Sequence, residues 1–297
     1  MSYASFGRTK TPVLEIGYES AGDPRGTPVI LLHGFPYDVR AFDDVAPLLA
    51  AQGAFVLVPY LRGFGPTRFL DDTTMRSGQQ GALAQDLLDF MDALVVGQAV
   101  VAGYDWGGRA ACIVAALEPG RVRGLVTVNG YNMHNLATSG EPVDPEWERS
   151  YWYQYYFHSE RGRRGLERNR DDLCELLWRT WSPSWAAARG AFPASAPSLH
   201  NPDFVDVVVH SYRHRYGLAD GDPLYRHLEE LISRQPAIPV PTVVLESGDD
   251  GIGGPPAATG RDHFTGPYRE VLLPGVGHNV PQEDPGAFAQ AVLSLVG

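Results

Sequence analysis

Short apolar runs rich in β-branched residues punctuate the chain at Pro28 to Leu32 (PVILL), Ala54 to Val58 (AFVLV), Ala99 to Ala102 and Gly124 to Asn129. Continuous runs of this kind suit strands buried on both faces of a parallel sheet. Between them, apolar and polar positions fall at helical spacing over Val39 to Ala51, Gln80 to Ala93 and Arg109 to Leu117. Strand and helix in alternation predict right-handed βαβ crossovers and an α/β fold with a doubly wound, mostly parallel sheet. From about Asn132 to Pro236 the pattern changes: Trp, Tyr and Arg crowd into helical spacings and strand-like runs vanish. Alternation resumes at Pro241 to Leu245 and Tyr268 to Leu273, followed by a final helix from Gly286 to Val296. The expected organisation is an α/β core in two pieces, residues 1–131 and 237–297, interrupted by a helical cap over residues 132–236.

Length and composition narrow the class. A chain of 297 residues can bury a large core, and 44% hydrophobic with 20% charged residues describes a globular protein, which excludes a fibrous or disordered one. Against 24 Lys and Arg stand 35 Asp and Glu, a net charge of -11 that repels phosphate backbones and anionic lipid. Neither nucleic acid nor a membrane is an expected partner. The first ten residues lack the apolar centre of a signal peptide, and no run approaches the roughly 20 apolar residues of a membrane helix. Cys112 and Cys174 sit inside apolar helical patterns without metal spacing, so reduced, buried thiols and a cytoplasmic location are expected. Oligomeric state is open, a homodimer included.

The chemistry concentrates after the run Val100, Val101, Ala102, which enters Gly103-Tyr104-Asp105-Trp106-Gly107-Gly108 and then a small-residue helix. Strand, tight glycine turn and helix are the context of a nucleophile elbow, where one strained residue projects from the bend. Here that residue is Asp105. A serine needs a base before it can attack, whereas an aspartate with a pKa near ~3.9 is already an anion at neutral pH. This shifts the chemistry from acyl transfer to displacement at saturated carbon, through an alkyl ester on Asp105. A plain helix cap is the competing use of an Asp at that place.

Far downstream, Pro274-Gly275-Val276-Gly277-His278 follows one strand run and precedes the last helix. Loops at the carboxyl ends of parallel strands share one crevice, so His278 is placed to activate water against the ester. Ser247-Gly248-Asp249-Asp250-Gly251 ends the preceding run and offers a carboxylate to orient the imidazole: Asp250 first, Asp249 in reserve. A loop Asp-Asp-Gly also serves as an ordinary turn, and a lone His as surface or core. Three residues in this order on these elements favour the catalytic reading. His33-Gly34-Phe35-Pro36 closes the first buried run, and the backbone N–H groups of Phe35 and Trp106 are candidates for an oxyanion hole, with His33 a structural residue of the turn. This scheme calls for no cofactor and no metal.

These motifs resemble the Asp-nucleophile branch of the α/β-hydrolase family, which contains epoxide hydrolases and haloalkane and fluoroacetate dehalogenases. His33-Gly34-Phe35-Pro36 is similar to the HGxP oxyanion motif of epoxide hydrolases, residues 103–108 to their GxDWGG elbow, and Gly277-His278 with Gln282, Glu283 and Pro285 to their histidine segment. In the cap, Trp152 to Phe157 resembles the stretch carrying the first epoxide-activating tyrosine, which implies Tyr153, and Ser211 to Tyr216 the second, which implies Tyr212. Packing of the cap onto the core is the competing role for Tyr153, Tyr155, Tyr156, Tyr212 and Tyr216. Dehalogenases commonly place Asn or Trp where this chain has Phe35. Fluoroacetate dehalogenases usually follow the nucleophile with Arg where it has Trp106, which disfavours an anionic substrate and leaves Arg109 and Arg213 as the cations that keep one open.

An epoxide opened by Asp105 becomes an alkoxide, a poor leaving group unless an acid serves it, and two neutral tyrosines meet that need. The leading expectation is hydrolysis of an epoxide on a small apolar or aromatic molecule to a vicinal diol, with water as co-substrate. The alternative is a haloalkane or haloacid dehalogenase using the same ester. A third is a non-catalytic member of the fold that binds a small ligand.

Overall fold

The strand β3 (Thr27–Leu32) buries four consecutive side chains, Val29 to Leu32, because the sheet continues on both sides of it and helices cover both faces. In the computed structural model, which describes residues 5–297, the other strands are β1 (Ser5–Lys10), β2 (Leu14–Ala21), β4 (Ala54–Pro59), β5 (Arg68–Phe69), β6 (Ala99–Gly103), β7 (Val122–Val128), β8 (Thr242–Ser247) and β9 (Tyr268–Leu273). Their order is β1-β2-β4-β3-β6-β7-β8-β9, with β5 paired to β2. From β4 to β9 every pairing is parallel, and only β1, β2 and β5 join antiparallel. The α/β-hydrolase fold expected from the motifs is the fold observed. Chain order reverses beside β3 and β6, where a parallel sheet opens its crevice.

All six strand runs predicted from the apolar pattern are strands. The antiparallel edge was not predicted, because β1 is mostly exposed and β2 buries only half of its residues, so neither shows a long apolar run. Predicted as one helix, Val39 to Ala51 divides into a 3-10 turn, Val39–Phe42, capped by the Asp38 side chain, and an α-helix, Val45–Ala50. Pro47, which can donate no backbone N–H, fits only in the first turn of that second helix. The helix predicted from Arg109 starts at Asp105, since Gly107 and Gly108 are packed against neighbouring backbone and do not end an element.

Between β7 and β8 the described residues form helices and no strand: Pro145–Ser150, Trp152–His158, Glu160–Arg168, Arg170–Trp181, Ala188–Leu199, Phe204–Arg215 and Arg226–Ile232. Two buried polar contacts seat these helices on the core. The Trp178 indole donates to the Pro36 carbonyl at 2.9 Å, and Ser195 donates to Asp38 at 2.6 Å. Arg62, fully buried, forks onto both oxygens of Asp86 at 2.6 and 2.7 Å and reaches the Tyr225 hydroxyl at 3.0 Å, which ties the core to the end of the helical segment. Both cysteines are free and buried. Among the described residues, no helix is long and apolar enough to cross a membrane.

The elbow depends on glycine for space. A Cβ on Gly107 would stand 2.2 Å from the Leu32 carbonyl oxygen, whereas one on Gly120 would meet nothing within 4 Å. Gly107→Ala is therefore expected to destabilise the protein by more than about 2 kcal/mol, and Gly120→Ala by less than about 1 kcal/mol. Urea denaturation of the two variants against the parent checks this; equal midpoints would contradict the packing described.

Candidate active site

Asp105 opens the helix Asp105–Leu117 immediately after β6 and holds φ at +49°, the left-handed region that non-glycine residues seldom occupy. The bend turns its carboxylate back toward the loop after β3. There a Cβ on Gly34 would lie 2.4 Å from both the Cβ and Oδ1 of Asp105, so only glycine fits at that place. This approach lets the Phe35 backbone N–H donate to Asp105 Oδ1 at 2.8 Å. Among the described residues Phe35 is the one backbone donor to that carboxylate; Trp106 N–H, the other expected donor, makes no bond to it.

His278 sits on the loop after β9, 3.7 Å from Asp105 Oδ2 through Nε2. Its Nδ1 lies 2.8 Å from Asp250 Oδ2, while Nε2 is buried without a hydrogen-bond partner. Asp250, not Asp249, is thus the carboxylate on the imidazole. Asp249 instead accepts from the Ser184 hydroxyl. Asn129, which the sequence reading did not single out, holds Asp250 in place. Its side-chain amide donates to Asp250 Oδ2 at 2.7 Å and its carbonyl accepts the Ser247 N–H at 2.9 Å. It too sits at positive φ, +58°, a conformation Asn tolerates better than most residues, and the Asn129-Gly130 pair after a strand was the signal available. His33 is structural, as expected: its ring bridges the Gly34 carbonyl and the Leu61 N–H, and burial pushes it down to about 4, so it stays neutral.

The charges interlock. Burial alone would raise the Asp105 carboxyl, but His278, Arg109 and the Phe35 N–H outweigh burial and hold it below its ordinary value. Burial opposes charge on His278 too, yet Asp250 and Asp105 on either side lift the imidazole to about 10. The resting site is therefore an imidazolium between two carboxylates.

Asp105, Asp250 and His278 border a cavity of about 1100 Å³ whose wall also includes Tyr153, Arg109 and Arg215. Behind this wall lies an aromatic cluster: Phe35 stacks on Trp106 at 5.7 Å, and Tyr153 packs against Trp181 at 4.9 Å and Tyr212 at 5.4 Å. Tyr153 lines the cavity, and Tyr212, as deeply buried, packs edge-on against it. Burial raises both phenols well above their ordinary range, and both remain O–H donors. The Trp106 indole N–H is buried without a partner. Tyr155 donates to Glu148 and Tyr216 to Gln154, and Arg213 is spent on the Phe157 carbonyl and Glu160, away from the cavity.

An acid at a β6 elbow, a histidine after the last strand and a second acid after β8, on a mostly parallel sheet, define a class. The α/β hydrolase fold family model matches residues 27–285, and the chain belongs to that family. A crystal structure from Klebsiella pneumoniae, assigned provisionally as an epoxide hydrolase, is 44% identical, covers 99% of this chain and 98% of its own, and superposes with a TM-score of 0.97. Epoxide hydrolase A of Mycobacterium tuberculosis is 24% identical over 93% of this chain and 92% of its own. A haloalkane dehalogenase of Mycobacterium marinum is 33% identical over 43% of each chain.

The electrostatic account has a direct readout. If the Asp105 charge helps to hold the proton on His278, Asp105→Asn removes one of two counter-anions, and the imidazole pKa must fall below the parent's value of about 10. An NMR titration of the His278 ring in both proteins measures it; an unchanged or raised value would contradict this charge balance.

Proposed function

We propose that this protein hydrolyses an epoxide on a small organic molecule to a vicinal diol through an ester on Asp105. The observation that carries the reading is the Asp105–His278–Asp250 chain, with an anionic group where the fold offers its nucleophile and the imidazole beside it. The similarity to epoxide hydrolases over almost the full chain supports it.

Asp105 attacks a ring carbon, the carbon–oxygen bond breaks, and the released oxygen takes a proton from Tyr153, with Tyr212 as its partner in the aromatic cluster. Esterification removes the negative charge beside Nε2. One of the two anions that hold the His278 proton is then lost, so the imidazole becomes a better base at the stage that needs one. His278 gives up its proton, which restores the Tyr153 phenol, and the neutral imidazole then takes a proton from water as the water oxygen attacks Asp105 Cγ. Phe35 N–H, with Trp106 N–H as the second candidate donor, meets the oxyanion. When the intermediate collapses, the product oxygen leaves with the proton from His278, the acid left on Asp105 passes its proton back to the imidazole, and the water oxygen stays on Asp105. Asp250 and Asn129 keep the imidazole aimed throughout. We further propose that cap residues 132–236 bound the substrate space over the core pieces 1–131 and 237–297, that the aromatic cluster favours an apolar or aromatic substrate, and that the protein acts in the cytoplasm as a monomer or homodimer.

Displacement of halide from a haloalkane is the second reading. It is supported by the unpartnered Trp106 N–H, a donor suited to a departing halide, and by the M. marinum relative. One turnover of styrene oxide in heavy-oxygen water is expected to put the label into Asp105, found by peptide mass, and not into the first diol released. Label in the diol alone would reject the ester, and chloride release from chloroalkanes without diol formation from epoxides would favour the second reading. Asp105→Ala should lower turnover at least about a thousandfold, and Tyr153→Phe about a hundredfold.

A further inference from the structure

We propose that the natural substrate carries a carboxylate, and that Arg109 and Arg215 hold it in the cavity beside Asp105. The inference rests on the hydrolytic reading above and names the substrate class.

Neither guanidinium has a carboxylate at ion-pair distance. Arg109 is 8% exposed, Arg215 is half-buried, and both line the cavity that contains Asp105. Among the described residues no carboxylate lies within 4.0 Å of either. Elsewhere the protein follows the ordinary rule that a buried charge is paired: Arg62, the other deeply buried arginine, has both oxygens of Asp86.

Their remaining contacts leave donors over. Arg109 uses Nε on the Asn132 carbonyl at 3.3 Å and Nη2 on His134 Nε2, while Nη1 bonds nothing. Burial and the two arginines push His134 far below its ordinary value, so it accepts as a neutral ring. Arg215 donates through Nη1 to Gln154 at 3.1 Å and lies over the Tyr212 ring. Burial and then Arg215 press Arg109 down to about 9, a repulsion that a bound anion would relieve.

Acids on the cavity wall do not fill this role. Asp250 serves His278 and Asn129, Asp249 serves Ser184, Glu148 serves Tyr155, Glu246 serves the Ala257 N–H, and Glu141 is exposed. Asp105 and Glu229 act on Arg109 only from a distance, and Glu229 is taken by the Gly81 N–H and the Gln79 and Gln80 amides. A carboxylate matches the planar fork that an arginine offers. Arg109 follows Asp105 by four residues on one helix, a rise of about 6 Å on the same face, so the carboxylate belongs a few bonds from the carbon attacked. The residue directly after the nucleophile, Trp106, had argued against an anion, but the cations come from one turn further along and from the helix Phe204–Arg215. Two cations also offset the repulsion such a substrate meets from Asp105 and from a protein of net charge -11.

The test compares 3-phenylglycidate with 3-phenylglycidamide as substrates, together with binding of 3-phenylpropanoate and 3-phenylpropanamide to Asp105→Asn by calorimetry. The acid is expected to exceed the amide in kcat/KM by about 10- to 100-fold, the propanoate to bind correspondingly tighter, and both preferences to weaken with salt. Arg109→Met and Arg215→Gln should each collapse the acid-to-amide ratio toward one, while Arg109→Lys keeps part of it. An amide turned over as well as the acid, with propanoate bound no tighter than propanamide, overturns the anion site and leaves epoxide hydrolysis standing. Propanoate binding that is lost in Arg215→Gln, with neither epoxide opened, upholds the site and rejects the hydrolytic reading. The parent's own acid-to-amide ratio decides the matter even if a variant fails to fold.

Discussion

The site depends on the approach of the Asp105 side chain, at the bend after β6, to the turn after β3 at Gly34. No side chain fits at Gly34. That proximity brings the Phe35 N–H onto the Asp105 carboxylate, and the strained φ of Asp105 aims the same carboxylate at His278. Because β3 and β6 are neighbours in register, with Leu32 opposite Gly103, the sheet itself sets the distance between nucleophile and donor. Strain at one residue is sustained by the strands on either side.

Electrostatics then distributes the work. A buried imidazole would ordinarily shed its proton, but here two carboxylates bracket it and the proton stays. Such a group is a poor base in the resting protein. In the proposed cycle it becomes a good one only when its neighbour has been esterified, so the order of steps is built into the charges. Asn129 contributes by occupying the same Asp250 oxygen as the imidazole, which limits how that carboxylate can turn.

Much of this was legible in the chain. Strands buried on both faces announce themselves as apolar runs, and all six were found where the runs lie; the exposed edge, β1 and β2, lacks that signal. Glycines around Asp105 and in His33-Gly34-Phe35-Pro36 marked the elbow and the facing turn, because close backbone contact restricts the residue type. Asp250 over Asp249 could not be read from sequence, since both are loop aspartates and the choice depends on which way a turn faces. Arg215 and Asn129 were missed for a related reason. An arginine on a helix ordinarily meets solvent, and only the packing of one helix against another turned Arg215 inward. That Tyr153 and Tyr212 come to lie 5.4 Å apart, one on each of two helices, is likewise beyond what helical spacing determines.

The helix Arg170–Trp181 is fastened near its end by Trp178 to the Pro36 carbonyl and by the Trp181 carbonyl to the backbone N–H groups of Gly251 at 2.9 Å and His278 at 3.2 Å. Lifting that side would pull on the donor turn and the histidine loop together. One helix end thus couples the oxyanion turn, the Asp250 loop and the histidine loop, so a displacement there is felt by the donor, the imidazole and its carboxylate at once.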